Sequence, residues 1–327
     1  MNQVNSKFLS YSPQLDGLRA ICILFTVFNH IEGVPHYING KVGVYVFCPL
    51  SGFLITTILL DGAAFKSYLI KRFFRIAPLY YMAFLVTICA AYLGAMVGVG
   101  AEKIAQVEHI LIPSLLFSRE LVGSEAPTLF GQAWTIGIEE KFYLLFPLLV
   151  LFVQRNQIVL LIFCLFLCSF FIFVNDFDFM RPSGYAAISF GVICAILYRR
   201  YAFFFPTYFS IFSLFATYVV NTFFNGSILL VSLASTFFIV SVYAEKSIYS
   251  DILSHRILVY LGKLTYSIYL FHVLVFFVVK YLLASFGITY FLIVFLFGYL
   301  LCVISCGFIY KYVESPLIRY GKSLAQR

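Results

Sequence analysis

Apolar runs of about 20 residues recur along this chain, and short loops between them carry most of its positive charge. At 1.5 Å of rise per residue, a helical run of that length matches a hydrocarbon layer about 30 Å thick. Burying so many runs in water needs a polar surface to cover them. The chain has no such surface to offer: 62% of its 327 residues are apolar and 11% are charged. Soluble domains carry about 25% charged residues. Its outer face must therefore meet lipid.

The pattern predicts helices that span at 18–37, 42–60, 76–98, 134–153, 157–175, 183–198, 203–221, 227–244, 257–283 and 288–310. The segment 104–118 is apolar but short, and it holds Glu108, His109 and Pro113. It reads as re-entrant or interfacial, not spanning. With the N-terminus in the cytoplasm, the inner side collects Lys7, Arg19, Lys66, Lys71, Arg72, Arg75, Arg155, Arg199, Arg200, Lys246, Arg256, Lys263, Lys311, Arg319, Lys322 and Arg327. Only Lys41, Lys103, Arg119, Lys141, Arg181 and Lys280 remain for the outer side or the outer half of a helix. The positive-inside rule favours this orientation. The expectation is an all-α polytopic membrane protein of about ten transmembrane helices, in a single bundle with both termini cytoplasmic. Residues 1–327 read as one transmembrane domain with no fused soluble domain and no internal repeat.

The net charge of +8 follows from those loops, so nucleic acid is not an expected partner. Residues 1–40 do not read as a signal peptide, because Asp16, Arg19 and His30 disfavour the pattern and no small-residue cleavage site follows. The eight cysteines fall in apolar segments without CxxC spacing. They read as small buried side chains, neither a disulfide framework nor a metal site.

An ionisable side chain inside a spanning helix costs at least about 2.5–3.5 kcal/mol, so each one needs a partner, a cavity or a task. Arg19 and His30 are 11 residues apart. On an unbroken helix they return to within about 20° of one face, roughly 16 Å apart along the axis. That stripe reads either as a channel from a basic inner mouth to a mid-membrane imidazole, or as a snorkelling Arg and a hydrogen-bonded core His. Ser51 and Gly52 in Ser51-Gly52-Phe53-Leu54-Ile55-Thr56 permit close helix packing. Pro49 just before them would kink the helix and free a carbonyl into a cavity. Arg72 and Arg75, in the loop 61–75, suit either a polyphosphate gripped bidentately or a plain inner anchor. Glu139 and Glu140 enter an apolar helix behind Trp134, and Tyr143 shares the Glu139 face at i+4. Two adjacent carboxylates there point to function for Glu139, while Glu140 and Lys141 pair locally or face water. His272 lies at mid-membrane on a helix distant in sequence from His30, as packing or as function.

Taken in order, these pieces resemble the acyltransferase 3 family of membrane-bound acyltransferases. The likeness runs through LDGLRA followed by His (15–30), SGFLIT (51–56), the Arg-x-x-Arg pair 72–75, W-T-x-x-x-E-x-x-F-Y (134–143) and Y-S-x-Y-L-x-H (266–272). The family's Arg-x10-His spacing is intact as Arg19 to His30. Where relatives often carry an acidic residue and paired aromatics before SGF, this chain has Tyr45 and Cys48-Pro49.

The resemblance implies ten helices with cytoplasmic termini and a bacterial inner membrane. It implies an acyl-CoA donor, usually acetyl-CoA, and an acceptor sugar or glycolipid hydroxyl met on the outer side. No cofactor is expected beyond this donor substrate. Under that reading Arg72, Arg75 and Arg19 hold the CoA phosphates. His30 is a general base or a transient acyl carrier. Glu139 orients the imidazole or binds acceptor hydroxyls, with Ser51, Tyr143 and His272 as support. The alternative is a transporter or flippase for a lipid-linked sugar or small anion, which shares the helices and buried charges but would be expected to show repeat symmetry. A purely structural membrane subunit leaves Arg19, His30, Glu139 and His272 without a purpose.

Overall fold

A computed structural model describes residues 11–31, 33–35, 37–122, 129–174, 182–224 and 227–326. Lys7, His36, Arg181 and Arg327 lie outside them, as do Glu32 and His36 of the expected 18–37 span and residue 175 of the 157–175 span. Among the described residues the chain is helical, with no strand.

A helix stands at each of the ten expected segments: α1 (Pro13–Phe28), α2 (Lys41–Leu60), α3 (Phe65–Met96), α5 (Trp134–Phe152), α6 (Gln157–Phe173), α7 (Pro182–Tyr201), α8 (Thr207–Phe223), α9 (Ile228–Ala244), α11 (Arg256–Ser285) and α12 (Phe291–Ile309). Among the described residues three shorter α-helices accompany them: α4 (Glu102–Leu115), α10 (Ile248–Leu253) and α13 (Ser315–Leu324). Four stretches among the described residues are long and apolar enough to cross a membrane: α2, α3, α11, and Phe291–Leu324, which runs from α12 through a wide turn at Tyr310–Glu314 into α13.

Local chemistry sets the boundaries. Pro13 starts α1 where its missing N–H costs nothing, and Asp16 in the first turn opposes the helix dipole. Asn156 caps α6 by accepting from the amides of Ile158 and Val159. Two boundaries correct the sequence reading. Helix α1 ends at Phe28, with Asn29 as its cap, so the unbroken stripe from Arg19 to His30 does not form. Residues 65–75 are not a loop but the first turns of α3, because their basic side chains extend an otherwise helical pattern.

Helix α2 is the centre of the bundle. It packs on α7, α9, α1 and α5, and 78% of its apolar stretch is buried, against 28% for Phe291–Leu324 at the periphery. Helix α1 packs against α11, α6 against α7, α8 against α9, and α13 against α3. The α2–α7 crossing is a backbone contact. A Cβ on Gly52 would lie 2.2 Å from the Ile188 carbonyl oxygen, and one on Gly191 would lie 2.0 Å from that of Pro49. Gly52→Leu should therefore force the helices apart and cost about 3 kcal/mol. A clear fall in the unfolding temperature of the purified protein in detergent is the expected result, and an unchanged temperature would contradict the crossing.

Pro49 does lie inside α2, but the carbonyl it frees is not left to a cavity. The Tyr45 carbonyl accepts a 2.8 Å hydrogen bond from the Ser232 hydroxyl of α9. The short segment at 104–118 becomes α4, only 14 residues long. The chain then turns at Phe117, with φ at 50°, and returns through one 3-10 turn at Arg119–Leu121. Glu120 in that turn is fully buried and forms an ion pair with Lys141 of α5. Lys141 also donates to the Phe117 carbonyl at 2.9 Å. Lys141 thus pairs across to the returning segment, not with Glu140. Lys141→Met would strand the Glu120 carboxylate in the interior, which costs about 3 kcal/mol and should lower the unfolding temperature; Glu120→Gln in the same background should recover part of the loss.

Candidate active site

Two cavities meet at Arg72 and Arg75. Three residues apart on α3, these side chains share a face, and that face turns inward. The outer of the two cavities, about 380 Å³, lies between α3 and α13 and is lined by Tyr68, Lys71, Arg72, Arg75 and Lys322. The deeper one, about 100 Å³, is lined by Arg19 of α1, Cys48 and Ser51 of α2, both Arg72 and Arg75, Thr135, Glu139 and Tyr143 of α5, and Lys263, Tyr266 and Tyr269 of α11. Five helices thus contribute to one concave and strongly cationic site.

The polar groups in it are held in place. Ser51 sits one residue from the Gly52 crossing, so its backbone is fixed. Its hydroxyl donates to Glu139 Oε1 at 2.8 Å, and the Tyr143 hydroxyl donates to Glu139 Oε2 at 3.1 Å. The Arg72 guanidinium lies over the Tyr143 ring, 5.0 Å from its centroid, and 5.7 Å from that of Tyr68. Arg19 pairs with Asp16 at 2.9 Å while facing the cavity. At the deep end Tyr269 donates to the Gln132 carbonyl and shares a hydrogen bond with the Thr135 hydroxyl.

The two histidines stand together beyond that end. His30 follows the α1 cap, and its backbone N–H bonds the Val27 carbonyl at 3.0 Å. Its imidazole is exposed, whereas His272 is fully buried on α11. His30 Nδ1 lies 3.1 Å from His272 Nε2, with the ring planes at 69°. His272 is one helical turn from Tyr269, and their ring centroids are 6.0 Å apart.

The structure therefore splits the sequence-predicted residues into two groups. Arg19, Arg72, Arg75, Ser51, Glu139 and Tyr143 line one cavity. His30 and His272, read from the sequence as lying on distant helices, form a pair. The Glu139 carboxylate accepts from Ser51 and Tyr143, while the side chain that meets the His30 imidazole is His272. Sequence reasoning missed Tyr68 and Lys322 of the outer cavity. The i−4 spacing of Tyr68 from Arg72 was a usable signal, whereas Lys322 is brought in by the packing of α13 on α3.

The profile of the acyltransferase 3 family, described as an acyltransferase domain, matches residues 12–309. The chain belongs to the acyltransferase 3 family. Its apolar helices and this membership make it an integral membrane protein. Among its relatives, a Staphylococcus aureus protein named "Putative O-acetyltransferase" is 27% identical over 312 residues, covering 81% of this chain and 51% of the relative. A protein of Acidianus two-tailed virus named "Putative acetyltransferase" is 28% identical over 291 residues, covering 81% of this chain and 83% of its own length. A Bacillus subtilis protein named "Putative peptidoglycan O-acetyltransferase" is 28% identical over 178 residues, covering 49% and 27%. The acyltransferase 3 chain thus spans about half the length of the staphylococcal relatives it matches. No solved structure matches it.

Proposed function

We propose that this chain is a membrane-bound O-acyltransferase that moves an acetyl group from acetyl-CoA to a hydroxyl of a sugar acceptor, a surface polysaccharide or lipid-linked glycan. The observation that carries the reading is the pair of cationic cavities joined at Arg72 and Arg75. A coenzyme A headgroup is a polyanion, and guanidinium forks grip phosphate oxygens two at a time. In this reading Lys71, Lys322, Arg72 and Arg75 hold the phosphates, and Arg19 receives the donor in the deeper cavity. The acyl arm then extends past Glu139 toward Tyr269 and the histidine pair.

The chemistry is a transfer between oxygen and sulfur. His30 takes the proton from the acceptor hydroxyl, or first accepts the acyl group itself. In the direct route the freed oxygen attacks the thioester carbonyl, the C–S bond breaks, and the thiolate leaves with the proton that His30 held. Glu139, held by Ser51 and Tyr143, binds acceptor hydroxyls or balances the positive charge of the donor site. Ten spanning segments with both termini in the cytoplasm of a bacterial cell put the basic cavities on the side where acyl-CoA is found. That arrangement is supported by the positive-inside bias of the loops. The sugar acceptor is supported by the name of the Bacillus relative.

The test is purified protein in liposomes, given labelled acetyl-CoA and a sugar or glycolipid acceptor. Acetylated acceptor and free CoA should appear in equal amounts. Movement of the acceptor across the bilayer with acetyl-CoA left intact would replace this reading with the transporter.

A further inference from the structure

The fully buried His272 sits behind His30, and its own hydrogen bonds decide which nitrogen carries its proton. His272 Nδ1 lies 3.1 Å from the Ile268 carbonyl and 2.9 Å from that of Tyr269. Carbonyl oxygens only accept, so Nδ1 must carry the hydrogen. Neutral imidazole has one N–H, which leaves His272 Nε2 as a bare acceptor. Its partner at 3.1 Å is His30 Nδ1, which must then be the donor. The same His30 nitrogen is 3.2 Å from the Thr26 carbonyl, a second acceptor. Both contacts therefore require hydrogen on His30 Nδ1 and leave His30 Nε2 with a free lone pair. That free nitrogen belongs to the exposed ring of the two.

We infer that His272 is a positioning residue for His30: the Ile268 and Tyr269 carbonyls lock it as an Nε2 acceptor, and it holds His30 in the tautomer whose Nε2 faces the substrate. This is the logic of a nucleophile–base–orienter relay with an imidazole in the place usually taken by a carboxylate. When His30 Nε2 gains the hydroxyl proton, the cation that forms keeps its Nδ1–H directed at His272 Nε2 and the Thr26 carbonyl. The neutral orienter strengthens that bond as charge develops, without the cost of burying a carboxylate. When the thiolate leaves, the proton passes from His30 Nε2 to sulfur, and the relay returns to its starting state. The inference rests on the acyltransferase reading above.

Two side chains separate positioning from packing. His272→Gln reaches far enough to offer an amide oxygen where Nε2 stood. His272→Asn keeps a polar group near Nδ1 but is too short to reach His30. Both are assayed for acetyl transfer beside the wild-type protein, with unfolding temperatures measured in the same detergent. His272→Asn should lower kcat roughly 10- to 100-fold, the worth of one hydrogen bond to a charged group. KM for acetyl-CoA should stay within about twofold, because the donor site is elsewhere. His272→Gln should recover most of the lost kcat at an unfolding temperature like that of His272→Asn. Equal turnover in the two variants, or a loss in KM instead of kcat, overturns the positioning role. Should either variant fail to fold, nitrogen-15 spectra of labelled histidine in the wild-type protein decide the matter. A protonated His30 Nε2 overturns the inference, and a bare one upholds it. If the wild-type protein transfers no acyl group while the spectra show the bare nitrogen, the acyltransferase reading fails and the tautomer assignment stands.

Discussion

Replacing His30 with alanine should lower acetyl transfer by about 10²- to 10⁴-fold, the range spanned by a lost general base. The size follows from position. His30 is the exposed member of the imidazole pair and lies beyond the α1 cap, so its side chain adds little to the packed core. Removal leaves His272 Nε2 without a partner, a cost of about 1 kcal/mol, too small to unfold the protein. The variant should therefore purify with a near-normal unfolding temperature and bind donor normally. Mass spectrometry of the acceptor after incubation with acetyl-CoA measures the loss. Turnover close to wild type would remove His30 from the mechanism.

Substituting Arg72 and Arg75 together with alanine should raise KM for acetyl-CoA about 100-fold, since each charge-assisted bond to phosphate contributes roughly 1.5–3 kcal/mol and some are replaced by water. Turnover at saturating donor should fall much less, because neither residue contacts the histidine pair. Steady-state rates over a range of acetyl-CoA concentration make the distinction. Arg72→Lys should recover little. An ammonium cannot lie flat over the Tyr143 and Tyr68 rings while it also grips two phosphate oxygens. A KM equal to that of the wild-type protein would leave the two arginines as an inner-face anchor.

How far the sequence could be read depended on the length scale of each feature. The segments 42–60 and 257–283 lie within a few residues of α2 and α11, because an apolar run between polar loops carries its boundaries with it. The Arg72–Arg75 face was legible from spacing alone. Its depth was not, because basic residues ahead of an apolar run look the same whether they form a loop or the first turns of a helix. The end of α1 at Phe28 was also missed, although Asn29, Gly33 and Pro35 behind it are the residue types that stop a helix. The contacts that build the site join distant parts of the chain. Ser51 and Glu139 are 88 residues apart, and His30 and His272 are 242 apart. No local pattern records such pairings; they follow from which helices cross, and the crossings are set by glycines such as Gly52 and Gly191. The Tyr45 carbonyl shows the same limit, since its acceptor duty is met from α9.

The Gly52–Gly191 crossing also bears on how the protein works in time. Two backbones in direct contact cannot slide or tilt without collision, so α2 and α7 move as one body. Ser51 and its bond to Glu139 ride on that body. A carrier that exposes its cargo first to one face and then to the other needs two halves that rock about the cargo. Here the middle of the bundle is welded, and its edge is tight as well: beyond the wide turn at Tyr310–Glu314, α13 lies against α3 so closely that a Cβ on Gly321 would come within 2.6 Å of the Phe74 Cβ. Close glycine contacts at the centre and at the edge leave little room for two halves of this bundle to rock against each other.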